Sequence, residues 1–265
     1  MSDAPIGIFD SGIGGLTVVH EILAALPAER LIYLGDTART PYGTKSAEII
    51  TRYSLENTDF MLEKGVKILV VACNAMSAVA LDGIRSRAGK VAVVGVIEPG
   101  AKAAAAATAS GRIGVIGTEA TIASGAYTAA LRRIRPGLEI YTRACPLFVP
   151  LAEEGWTEND VARAAAAVYL ESLRASGIDT LILGCTHYPL LKPTIGAFLG
   201  AGVRLVDSAK ETAREVAARL SRDGLRRPEG KGSASFFVTD VPDRFVRVGR
   251  RFLGERVESA VRIER

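Results

Sequence analysis

The chain has 265 residues, 48% apolar and 23% charged, so it can bury one large or two small cores and reads as an ordinary globular protein. Met1-Ser2-Asp3-Ala4-Pro5 lacks the basic start and apolar run of a secretory signal, and the Ala-rich stretch from Ala101 is broken by Lys102, so a cytoplasmic protein without membrane contact is expected. Three cysteines and two histidines, with no Cys-x-x-Cys or His-x-x-x-His spacing, argue against a disulfide framework and against a zinc or iron site.

In chain order, short β-branched runs predict strands over 6–9, 31–35, 68–72, 91–96, 112–116, 139–142, 180–183 and 203–206. Between them, apolar residues three and four apart predict helices over 16–26, 47–64, 77–87, 122–133, 158–175 and 210–220. Strand and helix in alternation imply an α/β fold of mostly parallel sheets covered on both faces. The basic tail, with Arg226, Arg227, Lys231, Arg244, Arg247, Arg250 and Arg251, is diluted by Glu229, Asp240, Asp243 and Glu255. It therefore reads as a solvated face, and a nucleic-acid partner is not expected, although the net charge of +4 would favour an anionic small substrate.

An internal echo says more. Pro5-Ile6-Gly7-Ile8-Phe9-Asp10 recurs as Arg112-Ile113-Gly114-Val115-Ile116-Gly117, and Leu69-Val70-Val71-Ala72-Cys73-Asn74 recurs as Leu181-Ile182-Leu183-Gly184-Cys185-Thr186, at offsets of 107 and 112 residues. Two similar doubly wound parallel-sheet domains in a pseudo-symmetric arrangement are predicted. Residues 1–97 with 208–265 would form the first and 98–207 the second, joined near Glu98-Pro99-Gly100, with the active site between them. Ligands on such sheets bind beyond the carboxyl ends of the strands, where Asp10, Cys73, Gly117 and Cys185 fall.

A single cysteine ending an apolar strand is usually a small core residue. Two in equivalent places, each followed by polar residues, fit a reactive site better, whereas Cys145 in Ala144-Cys145-Pro146-Leu147 reads as structural. Such a pair suits inversion at a carbon bearing hydrogen: one thiolate removes the proton and one thiol returns another from the opposite face. A free thiol near pKa ~8.5 needs only modest help from its neighbours. Asp10, His187 and Glu153 are the candidate helpers, although Asp10 reads equally as a helix cap and Glu153 as a loop acid. The turn Asp10-Ser11-Gly12-Ile13-Gly14-Gly15 opens a helix and offers N–H groups to a carboxylate or phosphate. As a dinucleotide fingerprint it is incomplete: Thr17 stands where the third glycine belongs, although Asp36 occupies the place of a ribose-binding acid.

Several blocks resemble glutamate racemase of the aspartate/glutamate racemase family: Phe9-Asp10-Ser11-Gly12-Ile13-Gly14-Gly15, Gly35-Asp36 with Pro41-Tyr42-Gly43, Ala72-Cys73-Asn74 and Gly184-Cys185-Thr186-His187-Tyr188-Pro189-Leu190-Leu191. Gly114-Val115-Ile116-Gly117-Thr118 and Phe236-Phe237-Val238-Thr239 extend the likeness over nearly the whole chain. The resemblance implies interconversion of L- and D-glutamate without pyridoxal phosphate or metal, supplying D-glutamate for peptidoglycan, in a protein that pairs as a homodimer. It implies that Cys73 takes the α-proton from the D-enantiomer and Cys185 from the L-enantiomer, with Asp10, His187 and Glu153 assisting. Asp10, Ser11, Pro41, Tyr42, Gly43, Asn74, Ala75, Thr118, Thr121, Thr186 and His187 would surround the substrate. One departure stands out, because the family usually has threonine after Cys-Asn and this chain has Ala75. The lost hydroxyl raises an alternative, aspartate or a related acid as substrate. Some family members also inhibit DNA gyrase, which gives a binding role as a second alternative. The N-terminus lacks the extension of members activated by a peptidoglycan precursor, so that control is not expected.

Overall fold

The computed structural model describes residues 2–264. Its strands in chain order are β1 (Ile6–Asp10), β2 (Arg30–Gly35), β3 (Ile68–Val71), β4 (Ala92–Gly95), β5 (Arg112–Gly117), β6 (Glu139–Ala144), β7 (Thr180–Gly184), β8 (Arg204–Asp207), β9 (Ser233–Val238) and β10 (Val261–Arg262). They form two sheets in which every pairing is parallel: β10-β9-β2-β1-β3-β4 and β6-β5-β7-β8. The central strands β1, β3 and β7 are buried along their whole length, which is why they read as unbroken apolar runs instead of alternating ones.

The echo in the sequence is an echo in topology. The order β2-β1-β3-β4 in one sheet matches β6-β5-β7-β8 in the other, so β3, which leads to Cys73, corresponds to β7, which leads to Cys185. Even the glycines correspond for the same reason. A Cβ on Gly7 would stand 2.7 Å from Val66 Cγ1, and one on Gly114 would stand 2.6 Å from Ile178 Cδ1; each bare Cα admits the apolar residue that enters the third strand of its sheet.

Three of the longer helices begin where capping side chains supply acceptors. Ser46 Oγ accepts from Ile49 N–H ahead of helix Ala47–Glu63, Asn159 Oδ1 from Ala162 N–H ahead of Asp160–Ala175, and Asp207 Oδ1 from Ala209 N–H ahead of Ser208–Arg222. Helix Ser208–Arg222 packs against helices Leu16–Ala25 and Ile97–Ala107 and reaches both β4 and β7, so it touches both sheets.

Apolar periodicity leaves out helices Ile97–Ala107, Phe148–Glu154, Lys192–Leu199 and Pro242–Leu253. Each carries a proline in its first turn, at Pro99, Pro150, Pro193 and Pro242, where the missing N–H has no intrahelical partner to lose. The tripeptide Glu98-Pro99-Gly100, read from sequence as lying near the joint, falls in the first turn of the helix that connects β4 of one sheet to β5 of the other. Strands β9 and β10, also absent from the periodicity, extend the first sheet beyond β2. Among the described residues, no helix is long and apolar enough to cross a membrane.

Candidate active site

Asp10 ends β1 and Gly117 ends β5, Cys73 lies two residues past β3, and Cys185 follows β7 directly. Both sulfurs therefore emerge at the carboxyl edges of their sheets, and both line one small cavity. Ser11, Pro41, Tyr42, Gly43, Asn74, Ala75, Thr118, Thr121, Thr186 and His187 line it as well. Three further lining residues, Thr40, Val149 and Gly184, were not among those expected to surround the substrate. Thr40 and Gly184 adjoin motif residues and were within reach, but Val149 sits on helix Phe148–Glu154, which left no periodic signal. Asp10 and Glu153 are brought close without lining the cavity, each standing behind a residue that does.

Around Cys73, Sγ lies 3.6 Å from Ser11 Oγ. Asp10 is fully buried; its Oδ2 accepts from Gly12 N–H at 3.0 Å, while Oδ1 has no hydrogen-bond partner among the described residues. Burial raises the Asp10 pKa, with the charge of His187 opposing. Burial first, then repulsion by Asp10, pushes the Cys73 thiol up to about 12. Asn74 Oδ1 accepts from Tyr127 at 2.8 Å, which leaves its buried Nδ2 without a partner among the described residues and able to donate toward the cavity it lines.

Around Cys185, Sγ lies 3.8 Å from His187 Nδ1, and His187 Nε2 lies 3.2 Å from Glu153 Oε1. Burial pulls the imidazole pKa down, but the bonds to Cys185 and Glu153 prevail and lift it to about 10. For Glu153 burial is likewise overcome by His187 and Arg244, and its pKa is lowered. The ion pair therefore keeps His187 protonated and Glu153 ionised near neutral pH.

The glycine turn joins the two halves. A Cβ on Gly14 would stand 2.5 Å from His187 Nδ1 and closer still to Thr186 Oγ1, so only glycine lets the turn after β1 lie against the block after β7. That contact leaves no gap for a pyrophosphate. Asp36 is equally committed: it is fully buried, bonded to Arg39 and Tyr42 and to Thr239 Oγ1 at 3.0 Å, which disposes of a ribose-binding role. Cys145 is buried in the apolar core of the second sheet, its Sγ 3.6 Å from the Arg143 carbonyl.

Two parallel α/β sheets each present a cysteine to one shared cavity, the two-sheet architecture of an amino-acid racemase. The chain belongs to the Asp/Glu/hydantoin racemase family, whose model matches residues 6–216. The glutamate racemase of Geobacter metallireducens is 60% identical over 253 residues, covering 95% of this chain and 93% of its own length. Among solved structures, glutamate racemase isoform RacE1 from Bacillus anthracis superposes with a TM-score of 0.96 at 38% identity, over 100% of this chain and 98% of its own. The Francisella tularensis glutamate racemase in complex with D-glutamate gives 0.94 at 36% identity, also over 100% and 98%.

Proposed function

We propose that this chain interconverts L- and D-glutamate by moving protons between Cys73, Cys185 and one α-carbon, supplying D-glutamate for peptidoglycan. The observation that carries the reading is the shared cavity: two sulfurs from equivalent strands of separate sheets open into the same space. From L-glutamate, the Cys185 thiolate takes the α-proton and the Cys73 thiol gives its own proton to the opposite face. The product is D-glutamate with the sulfur charges exchanged, and the reverse reaction runs the same steps backward. A Cys73 thiol held up to about 12 fits the donor role in the first direction.

Asn74 Nδ2, Ser11 and the hydroxyls of Thr118, Thr121 and Thr186 provide donors for two carboxylates. The substrate's ammonium group brings a positive charge into the cavity that favours thiolate at Cys73, against the repulsion of the buried Asp10 carboxyl behind it. Residues 1–97 with 208–265, and residues 98–207, are read as two domains that enclose the substrate, and two copies of the chain are expected to pair. Light scattering checks the pairing.

The test of function is incubation of each enantiomer in deuterated water, following optical rotation and α-deuteration, with aspartate in parallel. Loss of rotation with solvent deuterium at Cα is expected for glutamate. If neither signal appears at high enzyme concentration the reading fails, and a clear preference for aspartate would reassign the substrate.

A further inference from the structure

The His187–Glu153 pair is held from outside its own half of the molecule. Helix Pro242–Leu253 follows β9 of the first sheet, whereas Glu153 and His187 belong to the segment that carries the second. Arg244 and Arg251 lie seven residues apart, two helical turns, and so share a face. Arg244 Nη2 donates to Glu153 Oε2 at 3.0 Å, while Arg251 Nη1 donates to the Glu153 carbonyl oxygen.

The local backbone is made for that second contact. Gly155, with φ +76°, ends helix Phe148–Glu154, and a Cβ there would stand 3.3 Å from both Cζ and Nε of Arg251. The bare Cα thus lets the guanidinium lie against a helix C-terminus, where a cation is favoured. From the same helix, the Phe252 ring meets the His187 ring edge to face, 5.5 Å between centroids at 90°.

We propose that helix Pro242–Leu253 is the positioning element of the Cys185 half-site: Arg244 and Arg251 fix Glu153, Phe252 backs His187, and together they aim the imidazole at the Cys185 sulfur. The proposal rests on the two-thiol reading above. Its physical content is orientation. The carboxylate that orients the imidazole has one oxygen on His187 and the other on Arg244, so releasing Arg244 frees Glu153 to turn away.

The experiment compares Arg244→Ala, Arg251→Ala and the double variant with Arg244→Lys, and with Arg250→Ala as control, because Arg250 contacts the exposed Glu255 instead. A racemase has an equilibrium constant of one, so kcat/KM must fall equally in both directions, here by about tenfold to a hundredfold for the double variant. The discriminating readout is the isotope effect on kcat/KM for each enantiomer deuterated at Cα.

If the Cys185 step is slowed, the effect rises for L-glutamate, whose proton Cys185 removes, and falls for D-glutamate, whose removal by Cys73 becomes a pre-equilibrium. A ratio measured on one enzyme sample does not depend on how much of it is folded, so a partly unfolded variant still reports. Arg244→Lys should recover most of the loss, and Arg250→Ala should match wild type. A double variant within about twofold of wild type, or isotope effects that move together for both enantiomers, would overturn the proposal. A wild-type protein that racemises neither enantiomer would instead overturn the two-thiol reading and this proposal with it.

Discussion

Cys73 and Cys185 stand on corresponding strands, yet their surroundings share almost nothing. Beside Cys73 are a serine hydroxyl at 3.6 Å and a buried carboxyl whose pKa is raised, whereas beside Cys185 is an imidazole lifted to about 10 and tied through Glu153 to Arg244. Two positions after Cys73 comes Ala75, and two after Cys185 comes His187. The duplicated scaffold thus supplies backbone register for two sulfurs, while the residues that tune them differ at corresponding positions: Asp10 in one half stands against Gly117 in the other, and His187 against Ala75. This division is physically reasonable. Inversion requires opposite approach by the two bases, but the substrate offers an ammonium and carboxylates arranged without mirror symmetry, so identical helpers on both sides would serve one side badly.

The most severe way to break the comparison is to remove either sulfur. Cys73→Ala and Cys185→Ala should each lose at least about 10³-fold in racemisation in both directions, because each direction uses one thiol as base and the other as acid. Full activity in either variant, measured by optical rotation, would sever the paired geometry from the chemistry. Next comes the seam between the halves. Gly14→Ala drives a Cβ into Thr186 and His187 and should destabilise by about 1–3 kcal/mol, whereas Gly12→Ala, 3.3 Å from the movable Thr40 hydroxyl, should change little. Urea unfolding of the two variants decides it; equal stability would mean that the turn yields freely. A smaller effect is expected at Ala75, which lines the cavity without a hydroxyl. Ala75→Thr adds a donor, and a bond to a charged carboxylate is worth about 1.5–3 kcal/mol, so kcat/KM for glutamate should rise roughly tenfold if the first half lacks that contact. No gain would show that Asn74 already satisfies the carboxylate there.

Much of this arrangement is written in local sequence. The strand–Cys repeats, the glycine turn and the Cys185-Thr186-His187 block lie in short apolar runs with polar ends, so residue type and spacing locate them. What escaped is nonlocal or proline-marked. Glu153 is legible as a candidate helper, but the helix Phe148–Glu154 that carries it around Pro150 is not, and no spacing in the chain reveals that Arg244 and Arg251, some ninety residues away, close on it. Asp36 shows the opposite ambiguity: its position after β2 imitates a ribose acid in a fingerprint that Thr17 already leaves incomplete, and the packing of Arg39, Tyr42 and Thr239 shows it to be a buried brace. Sequence period reports which face of an element is apolar; it does not report which distant side chain arrives to satisfy a polar one.

The charge difference between the two half-sites should itself be measurable as a pH-dependent stability. Desolvation disfavours the His187 cation, but its bonds to Cys185 and Glu153 hold it at about 10 against an ordinary 6.5. The folded protein therefore binds this proton more tightly than the unfolded chain. Below about pH 6.5 both states carry it and the stabilisation is complete. As pH rises from there toward 10 the unfolded chain releases the proton first, and stability declines by up to about 1.4 kcal/mol per pH unit, until the contribution is gone above the folded value. His187→Gln removes this term, so the stability gap between wild type and variant should shrink steadily across that window when urea unfolding is repeated at successive pH values. Burial also lifts Cys73 and erodes stability above its ordinary value of 9.0, but that loss is common to both proteins and cancels in the difference. A gap that stays constant, or widens as pH rises, would mean the imidazole is neutral in the folded protein, and the two thiols would then stand in far more similar electrostatic surroundings.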